Sequence, residues 1–320
     1  MADFSPFPAP TLPTPVVECS ALHTPHGRLW LKHDGLTHPV YGGNKIRKLL
    51  FVLDEAERVG ARRILTFGAT GSHHVLATAL LARAHGIETA AILTPQPMTP
   101  HVEEMSRAIA AQGVRVYHAR SALTVPIAFL GAQRTGDYVL APGASTPLGA
   151  RGYVEAVLEL ARQVRAGLLR EPDVIVVPLG SGGTAAGLLA GVVHYELESR
   201  VLAVTVSKVP FARAHVLRLA RKTLAAMGSR VEPSELEGRL IVDREQLGAG
   251  YGHAPDDYEQ LAELARRELG LGLDQTYTAK AFAAALSLVR SSVPREHPLD
   301  VLYWHTLSAT PLEPLLEPPA

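Results

Sequence analysis

The stretch DVIVVPLGSGGTAAGLL, residues 173–189, runs from an unbroken apolar segment through a glycine-rich turn into small helix formers. An apolar run with no polar alternation is the pattern of a strand buried on both faces, as in a parallel sheet covered by helices. Gly180, Ser181, Gly182, Gly183 and Thr184 follow it. Glycines let the backbone turn tightly there, and successive N–H groups at a helix start form a cradle for a phosphate. Gly180, Gly182 and Ala185 also satisfy G-x-G-x-x-A, so a dinucleotide site has to be weighed. That motif needs an acidic residue about 20 positions on, at the end of the next strand. The next strand-like run, RVLAVTVS at 200–207, leads into KVP with no carboxylate, which argues against a nicotinamide cofactor. The Lys-Ser/Thr pair of a nucleotide P-loop is missing as well.

The same alternation extends outward in both directions. Strand patterns fall at 28–33, 61–67, 88–94, 114–119, 137–142 and 300–305. Helical spacing falls at 44–59, 72–85, near 100–112, about 149–166, near 211–227, 256–269 and 278–291. Strands alternating with helices predict an α/β protein with parallel sheets covered on both faces. No repeat and no low-complexity linker interrupts the chain. APGASTPLGARG, at 141–152, is the candidate boundary between two units that close on a shared cleft.

Composition sets the class. A chain of 320 residues suits two α/β domains. With 47% hydrophobic and 19% charged residues it can bury a large core. The 31 basic and 31 acidic side chains cancel, so no field is available to draw in nucleic acid or an anionic membrane. A single cysteine, Cys19, excludes a disulfide framework and a cysteine zinc site. No apolar run reaches the length of about 18 residues that a membrane helix needs. The opening MADFSPFPAPTLPTP reads as an extended arm, not a signal peptide. The closing PLEPLLEPPA is expected on the surface, and the cytoplasm is the expected location.

Two further helix openings carry chemistry. In YGGNKIRK, 41–48, two glycines allow a tight turn and Asn44 can cap the helix. Lys45 then falls in the first turn, where the helix dipole disfavours a cation and lowers its pKa. A lysine that forms a Schiff base needs that. The competing reading is a surface lysine in a basic turn with Arg47 and Lys48. In TFGATGSHHVLA, 66–77, Ser72 stands at an N-cap and the N–H groups after it suit a carboxylate. The competing reading is simply a well-capped helix. His73 and His74 are adjacent, not three or four apart as a metal pair on one helix face would be, so no metal site is expected.

Taken in order, LKHDGLTHPVYGGNKIRKL, GATGSHH, STPLGARGYVEAVLEL, PLGSGGTAAGL, LDQTYTAKAF and LYWHT resemble the fold-type II pyridoxal-phosphate-dependent family. The branch is that of D-cysteine desulfhydrase and 1-aminocyclopropane-1-carboxylate deaminase, and the likeness covers roughly residues 28–306. The resemblance implies two open, twisted, mostly parallel sheets flanked by helices, as in the tryptophan synthase β-subunit. It implies a large cofactor-binding domain from 1–47 and 150–320, with a small domain at 48–149. Pyridoxal 5'-phosphate would be carried on Lys45, with Asn44, His73, Gly180, Ser181, Gly182, Gly183, Thr184 and Thr278 around it. Thr278 would face the pyridine nitrogen, and Ser72, His73 and His74 would hold the substrate carboxylate. Lys45, Ser72, Tyr277 and Tyr251 would be catalytic, the substrate a small amino acid, and the assembly a homodimer.

The cyclopropane branch carries glutamate where this chain has Thr278. A neutral hydroxyl there suits β-elimination, so the resemblance points to a desulfhydrase-like lyase giving an α-keto acid and ammonia, with L-cysteate sulfo-lyase as the alternative. Three positions depart from the family: His73 replaces asparagine, Asp34-Gly35 replaces a pair of aspartates, and Leu307-Ser308 replaces two glycines. The His73 and Leu307-Ser308 departures leave open a cofactor-binding protein with little catalysis.

Overall fold

The computed structural model describes residues 8–208, 210–291, 293 and 297–318. In chain order the elements are β1 (Val16–Glu18), β2 (Gly27–His33), α1 (Asn44–Arg58), β3 (Arg63–Ala69), α2 (His73–Ala84), β4 (Glu88–Thr94), α3 (Pro100–Ala111), β5 (Arg115–His118), α4 (Val125–Ala132) and β6 (Asp137–Val139). There follow α5 (Pro147–Arg165), β7 (Val174–Leu179), α6 (Gly183–His194), β8 (Arg200–Thr205), α7 (Ala212–Ala226), α8 (Pro233–Arg239), β9 (Leu240–Asp243), α9 (Tyr258–Leu269), α10 (Thr278–Arg290) and β10 (Leu299–His305). They build a six-stranded sheet, order β1-β2-β10-β7-β8-β9, and a four-stranded sheet, order β5-β4-β3-β6. Every pairing is parallel except β1 with β2. All six residues of β7 are buried, as its uninterrupted apolar run requires.

One apolar core lies on each face of the large sheet. On one side α5 and α6 pack over Ile175, Val177 and Trp304; on the other α10 packs over Val174, Val176 and Tyr303. The small sheet is covered mainly by α1, α2 and α3, through Leu49, Val52, Leu76, Leu80, Met105 and Ile109. Helix α1 buries Ile46, Leu49, Val52, Leu53 and Ala56 on one face, and each large side chain contributes about 1.5–3 kcal/mol. The strands β2, β3, β7 and β10 all end at one cleft between the sheets, the usual place for a ligand in such folds.

The basic turn of α1 is not a solvated surface. Arg47 is only 3% exposed and clasps Asp34, itself 0% exposed, with Nη2 2.8 Å and Nε 3.1 Å from Oδ1. Asp34 Oδ2 also accepts from Tyr153 at 2.6 Å and from Trp304 Nε1 at 2.7 Å. Arg47 reaches Glu159 on α5, which also pairs with the buried Lys32. Three unlike elements, β2, α1 and α5, are thereby riveted together beside the cleft.

Three short elements carry too little pattern to read from sequence: β1, α8 and β9 hold 3, 7 and 4 residues. The first seven residues of the proline-rich arm lie outside the described residues, but Thr14 is fully buried and its hydroxyl donates to Asp34 at 3.1 Å. The arm is therefore partly an internal strap. The described tail is mostly exposed, as expected, but two of its side chains are not. Leu312 and Leu315 join the core of the small sheet, and Gln112 Nε2 donates to Leu315 O at 3.2 Å. Among the described residues, no helix is long and apolar enough to cross a membrane.

Candidate active site

A cavity of about 1120 Å³ fills the cleft. The turn before α1 delivers Lys45 to it. Gly42 has to be glycine, because a Cβ would fall 1.9 Å from Gly35 O. Gly43, with φ +95°, is the N-cap; Asn44 is not, contrary to its reading as a cap. Its amide is spent across the cleft instead: Nδ2 donates to Thr184 Oγ1 at 3.1 Å, while Oδ1 accepts from Lys45 Nζ at 2.7 Å. Burial pushes the Lys45 amine down to about 8, with Asp274 opposing. The ammonium lies 6.0 Å from the centroid of the Tyr277 ring.

Tyr277 donates to the Tyr251 hydroxyl at 2.9 Å, with the rings edge to face. Burial raises both phenols above their ordinary pKa, so both keep their protons. Thr278 departs from expectation. It is 0% exposed, its hydroxyl donates to Asp274 Oδ2 at 2.7 Å, and it is absent from the cavity wall. Asp274 accepts from the N–H groups of residues 276 to 278, so it serves as the lock of the turn into α10. Thr306, which the sequence reading passed over, does line the cavity.

The turn after β3 brings Ser72, His73 and His74 to the same wall. Ser72 occupies the N-cap of α2 without a capping side-chain bond, which leaves its hydroxyl facing the cleft. His74 is 3% exposed and bonded through Nε2 to Thr66 Oγ1 at 2.9 Å, so only its backbone can meet a substrate. His73 lies between Tyr41 and His101: Nδ1 is 2.6 Å from the Tyr41 hydroxyl and Nε2 is 3.1 Å from His101 Nε2. Burial, and then His101, push its pKa below the ordinary imidazole value.

The turn from β7 into α6 forms an anion cradle. Gly183 N donates to Ser145 Oγ at 3.0 Å, and Ser145 donates to Ser181 at 2.7 Å. A Cβ on Gly183 would fall 2.6 Å from Ser145 Oγ, so the space is reserved by the missing side chain. Lys48, 1% exposed, reaches the same corner, donating to Gly143 O at 2.6 Å beside Ser181. Burial and the neighbouring Lys45 hold its pKa well below the ordinary lysine value. Helix N-terminus, three hydroxyls and a buried amine suit a phosphate monoester, and Lys45 stands across the cavity for an aldehyde. Residues from both sheets thus fit pyridoxal phosphate.

Comparison with known proteins agrees. The family described as pyridoxal-phosphate dependent enzymes matches residues 9–305. A Thermotoga maritima protein named "Putative 1-aminocyclopropane-1-carboxylate deaminase" is 33% identical over 305 residues, covering 92% of this chain and 93% of the relative. A Pyrococcus abyssi protein of the same name is 32% identical over 286 residues, covering 87% and 83%. Among solved structures, one described as an ACC deaminase homologue superposes with a TM-score of 0.79 at 26% identity, covering 96% of this chain and 92% of that one. O-ureido-L-serine synthase shares the fold, with a TM-score of 0.65 at 17% identity, covering 96% and 94%. With the cradle, the buried lysine and these matches in place, the chain belongs to the fold-type II family of pyridoxal-phosphate-dependent enzymes.

Proposed function

We propose that the protein is a lyase that eliminates the β-substituent of a small amino acid, D-cysteine foremost, and that water then converts the product to an α-keto acid and ammonia, the substituent leaving in protonated form. The observation that carries this is the composition of the cavity wall. Asp274 is its sole carboxylate among the described residues, and both its oxygens are spent on the 274–278 turn. Lys45, with a pKa of about 8, shares the wall with the hydroxyls of Ser72, Tyr251, Tyr277 and Thr306 and with the imidazole of His73, whose pKa burial lowers. When bound, pyridoxal phosphate supplies an electron sink for charge left at the substrate Cα.

The protein supplies the rest. N–H groups at the start of α2 hold the substrate carboxylate. Lys45 Nζ, largely unprotonated above about pH 8, takes the Cα proton. The Tyr277–Tyr251 pair, both phenols kept protonated by burial, gives a proton to the departing β-substituent. A second reading, ring-opening deamination of 1-aminocyclopropane-1-carboxylate, is favoured by the names of the two relatives. One panel separates them: holoenzyme with D- and L-cysteine, L-cysteate, D- and L-serine and 1-aminocyclopropane-1-carboxylate, scored for keto acid and ammonia. Turnover of the β-substituted amino acids is expected. Turnover of the cyclopropane alone installs the second reading, and a silent panel overturns both.

A further inference from the structure

Lys280 lies on α10, three residues after Tyr277, and is 0% exposed. Its ammonium donates to Leu247 O at 2.8 Å and to Gly250 O at 2.9 Å. An ammonium buried against two carbonyls is costly to desolvate, and burial lowers its pKa. The segment it grips is LGAGYG, residues 247–252, in which Gly248, Gly250 and Gly252 have φ of 55°, 119° and 78°. Such a segment has little conformational preference of its own, so its order has to come from outside.

Between two of those glycines stands Tyr251, whose hydroxyl accepts from Tyr277. The same loop reaches the opposite wall. A Cβ on Gly252 would fall 2.9 Å from Pro97 Cδ, and the neighbouring Gln96 bonds Thr70 O in the turn that carries Ser72. One helix therefore presents Tyr277 and, one turn later, the anchor for its partner phenol. We propose that Lys280 is a positioning residue that clamps the 247–252 loop so that Tyr251 meets Tyr277 above Lys45. The kinetic part of this proposal rests on the elimination reading; the clamp itself does not.

The test compares holoenzyme of wild type, Lys280→Met, Lys280→Arg, Gly250→Ala, Tyr251→Phe and the double variant Lys280→Met/Tyr251→Phe. Hydrogen exchange at amides 247–252 should quicken about tenfold or more in Lys280→Met, remain near wild type in Tyr251→Phe, and be restored at least in part by Lys280→Arg, which keeps donors for both carbonyls. For keto acid release, Lys280→Met should lower kcat about 10- to 100-fold and move KM less than about threefold, since only placement of a reacting group is lost. The double variant should be no slower than its slower parent. Unchanged exchange in Lys280→Met, or kinetic losses that multiply in the double variant, overturns the proposal. Gly250→Ala attacks the same contact from the loop, since alanine resists a φ of 119°. If Lys280→Met does not fold, unchanged exchange and kcat in Gly250→Ala is the overturning result. A wild type that releases no keto acid defeats the elimination reading alone, and exchange still decides the clamp.

Discussion

At the scale of single residues, the lysine is the centre of gravity. Lys45 has a folded-state pKa of about 8 against an ordinary 10.5, and burial is the main cause. Two consequences follow from the sign. Its nucleophilic form grows as pH rises through about 8, so borohydride-trappable adduct with added pyridoxal phosphate should form faster up to that pH and level off above it. Mass spectrometry should place that adduct on Lys45, and Lys45→Ala should show none; an adduct surviving there defeats the assignment. The folded apoprotein also binds fewer protons than the unfolded chain between pH 8 and 10.5. Its unfolding free energy therefore gains a rising contribution across that window, and the burial penalty is fully present below pH 8. Lys45→Ala should flatten this slope in urea titrations.

At the scale of elements, the buried Asp34–Arg47–Glu159 group joins α1 to β2 and α5. Arg47→Met should cost about 3–5 kcal/mol in urea denaturation, because the fully buried Asp34 is left without its cation, while Glu159 keeps Lys32. A loss below about 1 kcal/mol would mean that the group does not hold α1. The major strands and helices were legible in the sequence because burial on both faces writes itself as apolar runs such as 173–180. The three glycine-bearing turns were legible because tight turns restrict residue type. Partners brought from far along the chain were not. Arg47 and Lys48 looked like solvated bases, since Asp34, Glu159 and Gly143 meet them only in the fold. His101 left no mark as the neighbour of His73, 28 residues away.

At the scale of the molecule, the cofactor cradle lies on the large sheet while Ser72 and His73 come from the small one. Bound pyridoxal phosphate should therefore protect the folded chain as a whole. At a free concentration of 100 times Kd the gain is about 2.7 kcal/mol, read as a rise in thermal midpoint. Gly183→Ala, which crowds Ser145 in the cradle, should need about tenfold or more cofactor for the same rise. An unchanged titration would mean that the phosphate sits elsewhere.

The strand order adds a constraint in time. β10 follows the other nine strands in chain order, yet it occupies an inner slot between β2 and β7. Until residues 299–305 leave the ribosome, the strand that leads to Lys45 and the strand that leads to the phosphate cradle share no sheet. A nascent or C-terminally shortened chain carries an amine without a cradle and a cradle without an amine. Cofactor capture is thus reserved for chains in which β10 has been inserted, and cofactor uptake doubles as a report that the large sheet has closed.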